Sequence, residues 1–413
     1  MPETPFDATV ARLNARINWE RRDRSTGWRV DLDPVTALLG ELGDPQMGFR
    51  LVHVAGSKGK GSVSSLVSHA LIAAGERVGT YGSPHVESIT ERVRLDGNNI
   101  DESALGVALT AVLDVVEAEQ AAGRVAGEAS WFDIMTAAAL VAFRNAGVTF
   151  AVLEVGLGGR LDSTNVIPSP EVAVVTTIAL EHTNILGKTH GAIAREKGGI
   201  VKSGCHFVSG CDPDSEAGLV LQGIASERGV AGYTMAWSPE DRTFEEVNVR
   251  IARAVIEALR ERRAVDAQVD GNVIAASRLP GRMERRLFED VPVVMDGAHV
   301  PNSVEMALQE AMAEHRGPFW AVLAVHHEKD AAALAAPILE HAEGLIATTV
   351  PGSGVHFSSA ELLEKLHHPS LVAVEEPREA LAEAVRRARA REGGWVFVTG
   401  SLYLVGVIRG SLE

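Results

Sequence analysis

Cysteine is almost missing: Cys205 and Cys211 are the only two in 413 residues. That excludes a disulfide framework and makes free thiols in a reducing cytoplasm the default. Long apolar runs are missing too. No stretch approaches the ~20 residues of a membrane-crossing helix, and the polar, charged N-terminus lacks the apolar core of a signal peptide. The expectation is a soluble cytoplasmic protein with no membrane partner. Positive charge is in deficit, with 39 Lys and Arg against 55 Asp and Glu, a formal net charge of −16. Such a surface is a poor partner for nucleic acid, although a local lysine and oriented amides can still hold a nucleotide. There is no internal repeat and no low-complexity tract. What is present is 46% hydrophobic residue over a length that suits two domains with separate cores.

The central stretch is Leu-Val-His-Val-Ala-Gly-Ser-Lys-Gly-Lys-Gly-Ser, Leu51 to Ser62. Leu51 to Ala55 reads as a buried strand, and Val63 to Ala74 carries apolar residues at helical spacing. Strand, glycine loop and helix together turn backbone N–H groups toward an anion, with the positive end of the helix dipole behind them. Gly56, Gly59 and Gly61 allow close approach to a phosphate, and Lys60 would lie along the β- and γ-phosphates. The string is not the standard P-loop, because its glycines are closer and Gly61 separates the lysine from Ser62. Taken alone, a glycine-rich turn with a solvated lysine pair explains it as well.

The rest of the chain alternates. A helix near Pro34 to Leu42 follows an arginine-rich loop from Asn18 to Trp28, and Arg77 to Tyr81 reads as a strand. Asp101 caps a helix to Ala121, and Ser130 with Asp133 forms a capping box opening Trp131 to Asn145. Phe150 to Val155 and Val172 to Thr177 are apolar and β-branched, as buried parallel strands are. Thr189 to Lys197 reads as a helix stopped by Gly198-Gly199, and Thr243 to Arg262 as an amphipathic helix. Asp266 to Arg278 reads as a joint, beyond which strands recur near 293, 320, 345, 371 and 395. The expectation is α/β throughout. It comprises a P-loop-type doubly wound domain over residues 1–277 and a smaller Rossmann-like α/β domain over 278–413.

Four further clusters carry chemistry. Ser83-Pro84-His85 follows the second strand; alone it is a turn. Glu154 ends a buried strand and needs a counter-charge, either a hard divalent cation or a bridging arginine, for which Arg160 is close enough in sequence. Glu181-His182-Thr183 follows a later strand, with Lys197 beyond it; a hydrogen-bonded loop histidine is an equal alternative for His182. Past the joint, Asp296-Gly297-Ala298-His299 suits a ribose or a substrate carboxylate, or simple helix capping by Asp296.

Taken together these strings resemble the folylpolyglutamate synthase/dihydrofolate synthase family of the Mur ligase superfamily, from Ile17-Asn18-Trp19-Glu20 to the Thr399–Gly406 segment. The most specific are His53 to Ser62, Tyr81 to His85, Glu154 to Asn165, and Gly297 to His299. The resemblance implies an ATP-dependent ligase that adds L-glutamate to dihydropteroate or to a reduced folate. Its Mur-type middle domain would bind ATP through Gly56, Gly59, Lys60, Gly61 and Ser62. It implies two Mg²⁺ ions, one on Ser83 and Glu154, a second reached by Glu154 and His182, with Lys197 matching a lysine that is carbamylated in the family. Asn248, Arg282, Asp296 and His299 would complete the nucleotide site at the domain interface. Ser130, Trp131, Phe132 and Asp133, with Leu161, Asp162 and Ser163, match segments lining the pterin pocket, where an aromatic face can stack on a flat heterocycle. A monomer acting on small molecules is implied, with no covalent enzyme nucleophile. Departures are Ser57-Lys58 where threonine and asparagine are usual, Gly198 for alanine, and Val300 for asparagine. An arginine is also lacking around Val350 to Phe357, where His356 is a weak substitute. They bear on substrate choice more than on phosphoryl transfer, leaving open another carboxylated substrate or, with less support, a non-catalytic nucleotide binder.

Overall fold

The computed structural model describes residues 4–18, 31–352, 354–410 and 412. The arginine-rich stretch 19–28 lies outside them. The chain forms two compact units, Met1–Ser277 and Arg278–Glu413.

The first unit is built on an eight-stranded sheet: β1 (Arg50–Ala55), β2 (Val78–Tyr81), β3 (Val93–Leu95), β4 (Asn98–Asn99), β5 (Phe150–Glu154), β6 (Val172–Val175), β7 (His206–Ser209) and β8 (Gly232–Met235). Their order is β4-β3-β2-β5-β1-β6-β7-β8. β1 lies in parallel register between β5 and β6, with Val54 opposite Glu154 and Ala55 opposite Val175. The period of two along β1 sends its side chains to opposite faces. Val52 and Val54 pack with helices 60–73 and 244–261, while Leu51 packs with helices 102–121 and 131–145. Both faces are covered, so the sheet is doubly wound. The loops after β1, β5 and β6 therefore emerge side by side at the carboxyl ends of adjacent strands, where open α/β sheets bind ligands.

The caps read from sequence form as expected. Asp101 accepts the N–H of Ala104, and Ser130 with Asp133 closes a capping box on Trp131–Asn145. Thr243 with Glu246 forms a further capping box on Phe244–Glu261, one not read from the sequence. Other elements differ. The phosphate-loop helix begins at Lys60, three residues ahead of its first apolar position, because its first turn faces away from the core. Gly198 does not stop its helix in a left-handed cap; the chain continues through a 3₁₀ turn, Gly198–Ile200. Gly199 is required by space, since a Cβ there would lie 2.4 Å from the Arg160 side chain. The segment read as a joint carries a helix, Gly271–Ala276, and Ala267, Val269 and Val273 are buried in the first unit's core.

The second unit has six strands: β9 (Glu284–Phe288), β10 (Val291–Met295), β11 (Phe319–Leu323), β12 (Gly344–Ala347), β13 (Leu371–Ala373) and β14 (Trp395–Thr399). Their order is β13-β12-β11-β14-β10-β9. All pairs are parallel except β9 with β10. That hairpin turns through Glu289 and Asp290, both at positive φ, the twist two-residue hairpins favour. Helices 377–389 and 402–409 bury β10, β11 and β14 on one face. Both cysteines, Cys205 and Cys211, are buried free thiols of the first unit.

Candidate active site

The loop after β1 is held open by its glycines and tied to the loop after β6. Gly56 sits at φ +146° and Gly59 at φ +84°; a Cβ on Gly56 would lie 1.8 Å from Thr176 Oγ1, and one on Gly59 2.2 Å from Asn248 Oδ1. Thr176 Oγ1 donates to the Lys58 carbonyl at 2.6 Å, and the Ser57 N–H to the Thr177 carbonyl at 2.7 Å. Asn248, 7% exposed, thus presses on the loop it was expected to join. Among the described residues no side chain caps the helix that starts at Lys60, unlike helices 102–121, 131–145 and 244–261. A left-handed glycine loop leading into a helix whose N-terminal amides have no capping side chain fits a bound phosphate chain.

Three lysines converge on this loop. Lys60 Nζ donates to the Gly56 carbonyl at 3.0 Å and Lys197 Nζ to the same oxygen at 2.9 Å. Lys197 also donates to Glu181 Oε1 at 3.1 Å, and Lys58 Nζ lies 3.8 Å from Glu181 Oε2. Burial by itself would raise the Glu181 carboxyl, but Lys197, then Lys60 and Lys58, outweigh it and bring it to about 2. Burial, reinforced by Lys60 and opposed by Glu181, lowers Lys197 to about 8. Glu181 was visible in the sequence only as a neighbour of His182. Its role as the shared counter-charge depends on Lys58 and Lys197, which adjacency in the chain does not reveal.

Ser83 and Glu154 are brought together, the Ser83 N–H reaching Glu154 Oε2 at 3.4 Å. Arg160 is not the partner of Glu154; it pairs with Glu196, Nη2 to Oε1 at 3.0 Å. Arg94 feels Glu154, its pKa lowered by burial and supported by Glu91 and Glu154. His182 follows β6 in the left-handed region, φ 47°, at the start of a short helix. Among the described residues no three His, Cys, Asp or Glu side chains gather as a metal cluster. The expected donors are one carboxylate, one imidazole and one hydroxyl, which suits a hard cation completed by water and phosphate oxygens rather than an all-protein cage.

The segments matched to a pterin pocket also meet. Ser163 Oγ donates to Asp133 Oδ1 at 2.5 Å, and Asp133 Oδ2 accepts the Ser130 hydroxyl at 2.7 Å. Trp131 is a core side chain, 2% exposed; its Nε1 donates to Asn14 and the Arg92 guanidinium lies 4.7 Å from its ring. Phe132, half-buried beside Tyr81 at 5.9 Å between ring centres, has the more accessible face. Leu161 is half-buried and Asp162 buried, the latter accepting the Leu157 N–H at 2.9 Å.

In the second unit Asp296 does not cap the following helix, which starts after Val300 without a side-chain cap. Its oxygens accept the N–H groups of Met283 at 2.9 Å and Ala298 at 2.8 Å, fixing the loop that carries Arg282. His299 Nδ1 donates to the Gly297 carbonyl at 2.9 Å. His356 meets Ser401 Oγ at 3.0 Å and lines a cavity of about 500 Å³ with His327, Val350 and Glu361.

Residues 54–206 match the Mur ligase middle domain, and residues 281–402 the glutamate ligase domain of Mur ligases. The folylpolyglutamate synthase of Lacticaseibacillus casei is 31% identical over 412 residues, spanning 92% of this chain and 93% of the relative. The chain belongs to the folylpolyglutamate synthase/dihydrofolate synthase family. Members of this family are ATP-dependent ligases, and the chain is one of them. Escherichia coli FolC, solved in complex with DHPP and ADP, is 27% identical with a TM-score of 0.81, covering 100% of this chain and 99% of that one. A bifunctional folylpolyglutamate synthase/dihydrofolate synthase solved with Mn, AMPPNP and L-glutamate is 26% identical at the same TM-score, covering 99% and 98%. Both likenesses run over nearly the whole chain. Among the described residues no helix is long and apolar enough to cross a membrane.

Proposed function

We propose that this ligase joins L-glutamate to dihydropteroate, to a reduced folate or to both, through an acyl phosphate, releasing ADP and phosphate. The observation that supports it most is the convergence of Lys60, Lys58 and Lys197 on a left-handed glycine loop ending in an uncapped helix, in a chain of this family. The substrate carboxylate attacks the γ-phosphate, and the α-amine of glutamate then displaces phosphate from the acyl carbon.

The Gly59–Ser62 amides hold the phosphates, and Lys60 shifts from the Gly56 carbonyl to the β/γ-phosphates, placing its charge where negative charge spreads in the transition state. Asn248 keeps the loop shaped. Ser83, Glu154 and His182 are the proposed seat of Mg²⁺, as one or two ions. When bound, the cation supplies Lewis-acid neutralisation of phosphoryl oxygens. Lys197, whose amine is brought toward neutrality at neutral pH, is proposed to be the residue that becomes carbamylated. Ser130, Trp131, Phe132, Asp133, Leu161, Asp162 and Ser163 form the proposed pterin side, with Phe132 supplying the stacking face and Trp131 the buried support. Arg282, Asp296 and His299 are proposed as the second unit's contributions to nucleotide binding. We place the enzyme in the cytoplasm as a monomer.

A product assay offering dihydropteroate and tetrahydrofolate in parallel, with ATP, Mg²⁺ and glutamate, tests this reading. ADP release that needs both glutamate and a pterin is expected; turnover indifferent to every pterin would overturn it and favour another carboxylated substrate, for which the uncapped Val300 and the histidine-lined cavity are the motive. Glu154→Ala is expected to cut turnover more than ~100-fold, and unchanged turnover would refute the metal seat.

A further inference from the structure

His53, in the middle of β1, lies outside the residues assigned to the nucleotide, metal and pterin. It is fully buried, on the Leu51 side of the strand, and among the described residues its Nδ1 has no hydrogen-bond partner. An imidazole there costs desolvation that an aliphatic side chain would not. What it gains is one contact: Nε2 lies 2.8 Å from Thr164 Oγ1. Thr164 Oγ1 donates its proton to Asp162 Oδ1 at 2.6 Å, so the hydroxyl offers His53 a lone pair and Nε2 carries the hydrogen. Asp162 Oδ1 also accepts the Thr164 N–H at 3.0 Å, and Oδ2 accepts the Leu157 N–H at 2.9 Å. A continuous relay thus runs from the strand that feeds the phosphate loop to the 156–165 loop that follows β5. Burial, with Lys202 adding to it, takes the imidazole down to about 3, so at neutral pH the ring is uncharged, with its hydrogen on Nε2 and Nδ1 bare.

We propose that His53 is a positioning residue for the acid substrate: through Thr164 it orients Asp162, and with it the 156–165 loop, against the phosphate loop. The proposal rests on the assignment of that loop to the pterin side. Two halves of one reaction, the phosphoryl donor and the carboxylate acceptor, are held in fixed register by a side chain that touches neither.

The test uses the full chain and the variants His53→Leu, His53→Gln and Thr164→Val. Leucine fills the space without a donor, whereas glutamine returns an N–H near the position of Nε2. Losing one buried hydrogen bond is expected to raise KM for dihydropteroate or tetrahydrofolate about tenfold in His53→Leu and in Thr164→Val. KM for ATP should stay within about twofold, the double variant should be no worse than the poorer single one, and His53→Gln should recover most of the loss. An unchanged pterin KM in Thr164→Val, equal impairment in the leucine and glutamine variants, or KM values for ATP and pterin rising together would overturn the proposal. Amide exchange at Leu157 and Thr164 reads the tether without substrate. Faster exchange in His53→Leu or Thr164→Val than in the wild type supports it, and unchanged exchange overturns it. Failure of the wild type to use any pterin overturns instead the functional reading, and the exchange result stands apart from it.

Discussion

Lys60 and Lys197 donate to a single oxygen, the Gly56 carbonyl, and that shared acceptor keeps two like charges close. Glu181 offsets them only in part, which is why Lys197 falls toward neutrality while Glu181 stays ionised. An arriving triphosphate gives Lys60 a better partner and relieves the crowding. Lys60→Ala is therefore expected to lower kcat by about 10²- to 10³-fold, read in a phosphate-release assay, with little change in melting temperature. His53 gives a second expectation. Its folded pKa, about 3, lies below the ordinary 6.5, so between those values the unfolded chain binds more protons. Stability then rises with pH across that window, by up to about 1.4 kcal/mol per unit; it is fully present above pH 6.5 and declines as pH falls toward 3. His53→Gln should flatten this part of the denaturation profile measured by urea titration from pH 4 to 7.

At the scale of elements, what can be read from the chain is what local chemistry fixes. The capping residues Asp101 and Ser130 act on amides three positions away, and the apolar strands β1, β5, β6 and β14 announce themselves by composition. β9 does not, because Glu-Arg-Arg-Leu-Phe is an edge strand whose charges are satisfied at a distance, Arg285 by Glu314 and Glu284 by Arg409. The same limit applies to the site. Lys60, the glycines and the Ser83–Glu154 proximity follow from motif and strand order. Glu181 as shared counter-charge, Arg160 lost to Glu196, and Trp131 sunk into the core depend on contacts between residues far apart in sequence. The phosphate loop itself is the element with least tolerance. Gly59→Ala must hold φ +84° and meets Asn248 Oδ1 at 2.2 Å, so the loop has to shift. The expected outcome is at least a tenfold rise in KM for ATP, a gain of strain on the order of 1–2 kcal/mol at one left-handed residue. Gly59→Ala combined with Asn248→Ala, which frees the space but leaves the dihedral penalty, should recover part of it.

At the scale of the whole molecule, each unit has its own hydrophobic interior, so each can respond separately to ligand. Of the six tryptophans, Trp320 and Trp395 belong to the second unit, and Trp19, Trp28, Trp131 and Trp237 to the first. In a Trp320→Phe, Trp395→Phe chain the fluorescence reports the first unit alone. Saturating ADP with Mg²⁺, at a hundred times its dissociation constant, should stabilise that transition by about 2.7 kcal/mol; an unmoved midpoint would place the nucleotide elsewhere. The two thiols offer a further use. Cys205 and Cys211 are sealed inside the first unit, and burial pushes both upward, Cys211 to about 11, so at neutral pH neither presents a thiolate to a maleimide. The chain is in effect already cysteine-free for surface labelling. A dye pair on one introduced thiol in each half could follow, in the unaltered background and in real time, whether the halves approach when ATP, pterin and glutamate are added in turn.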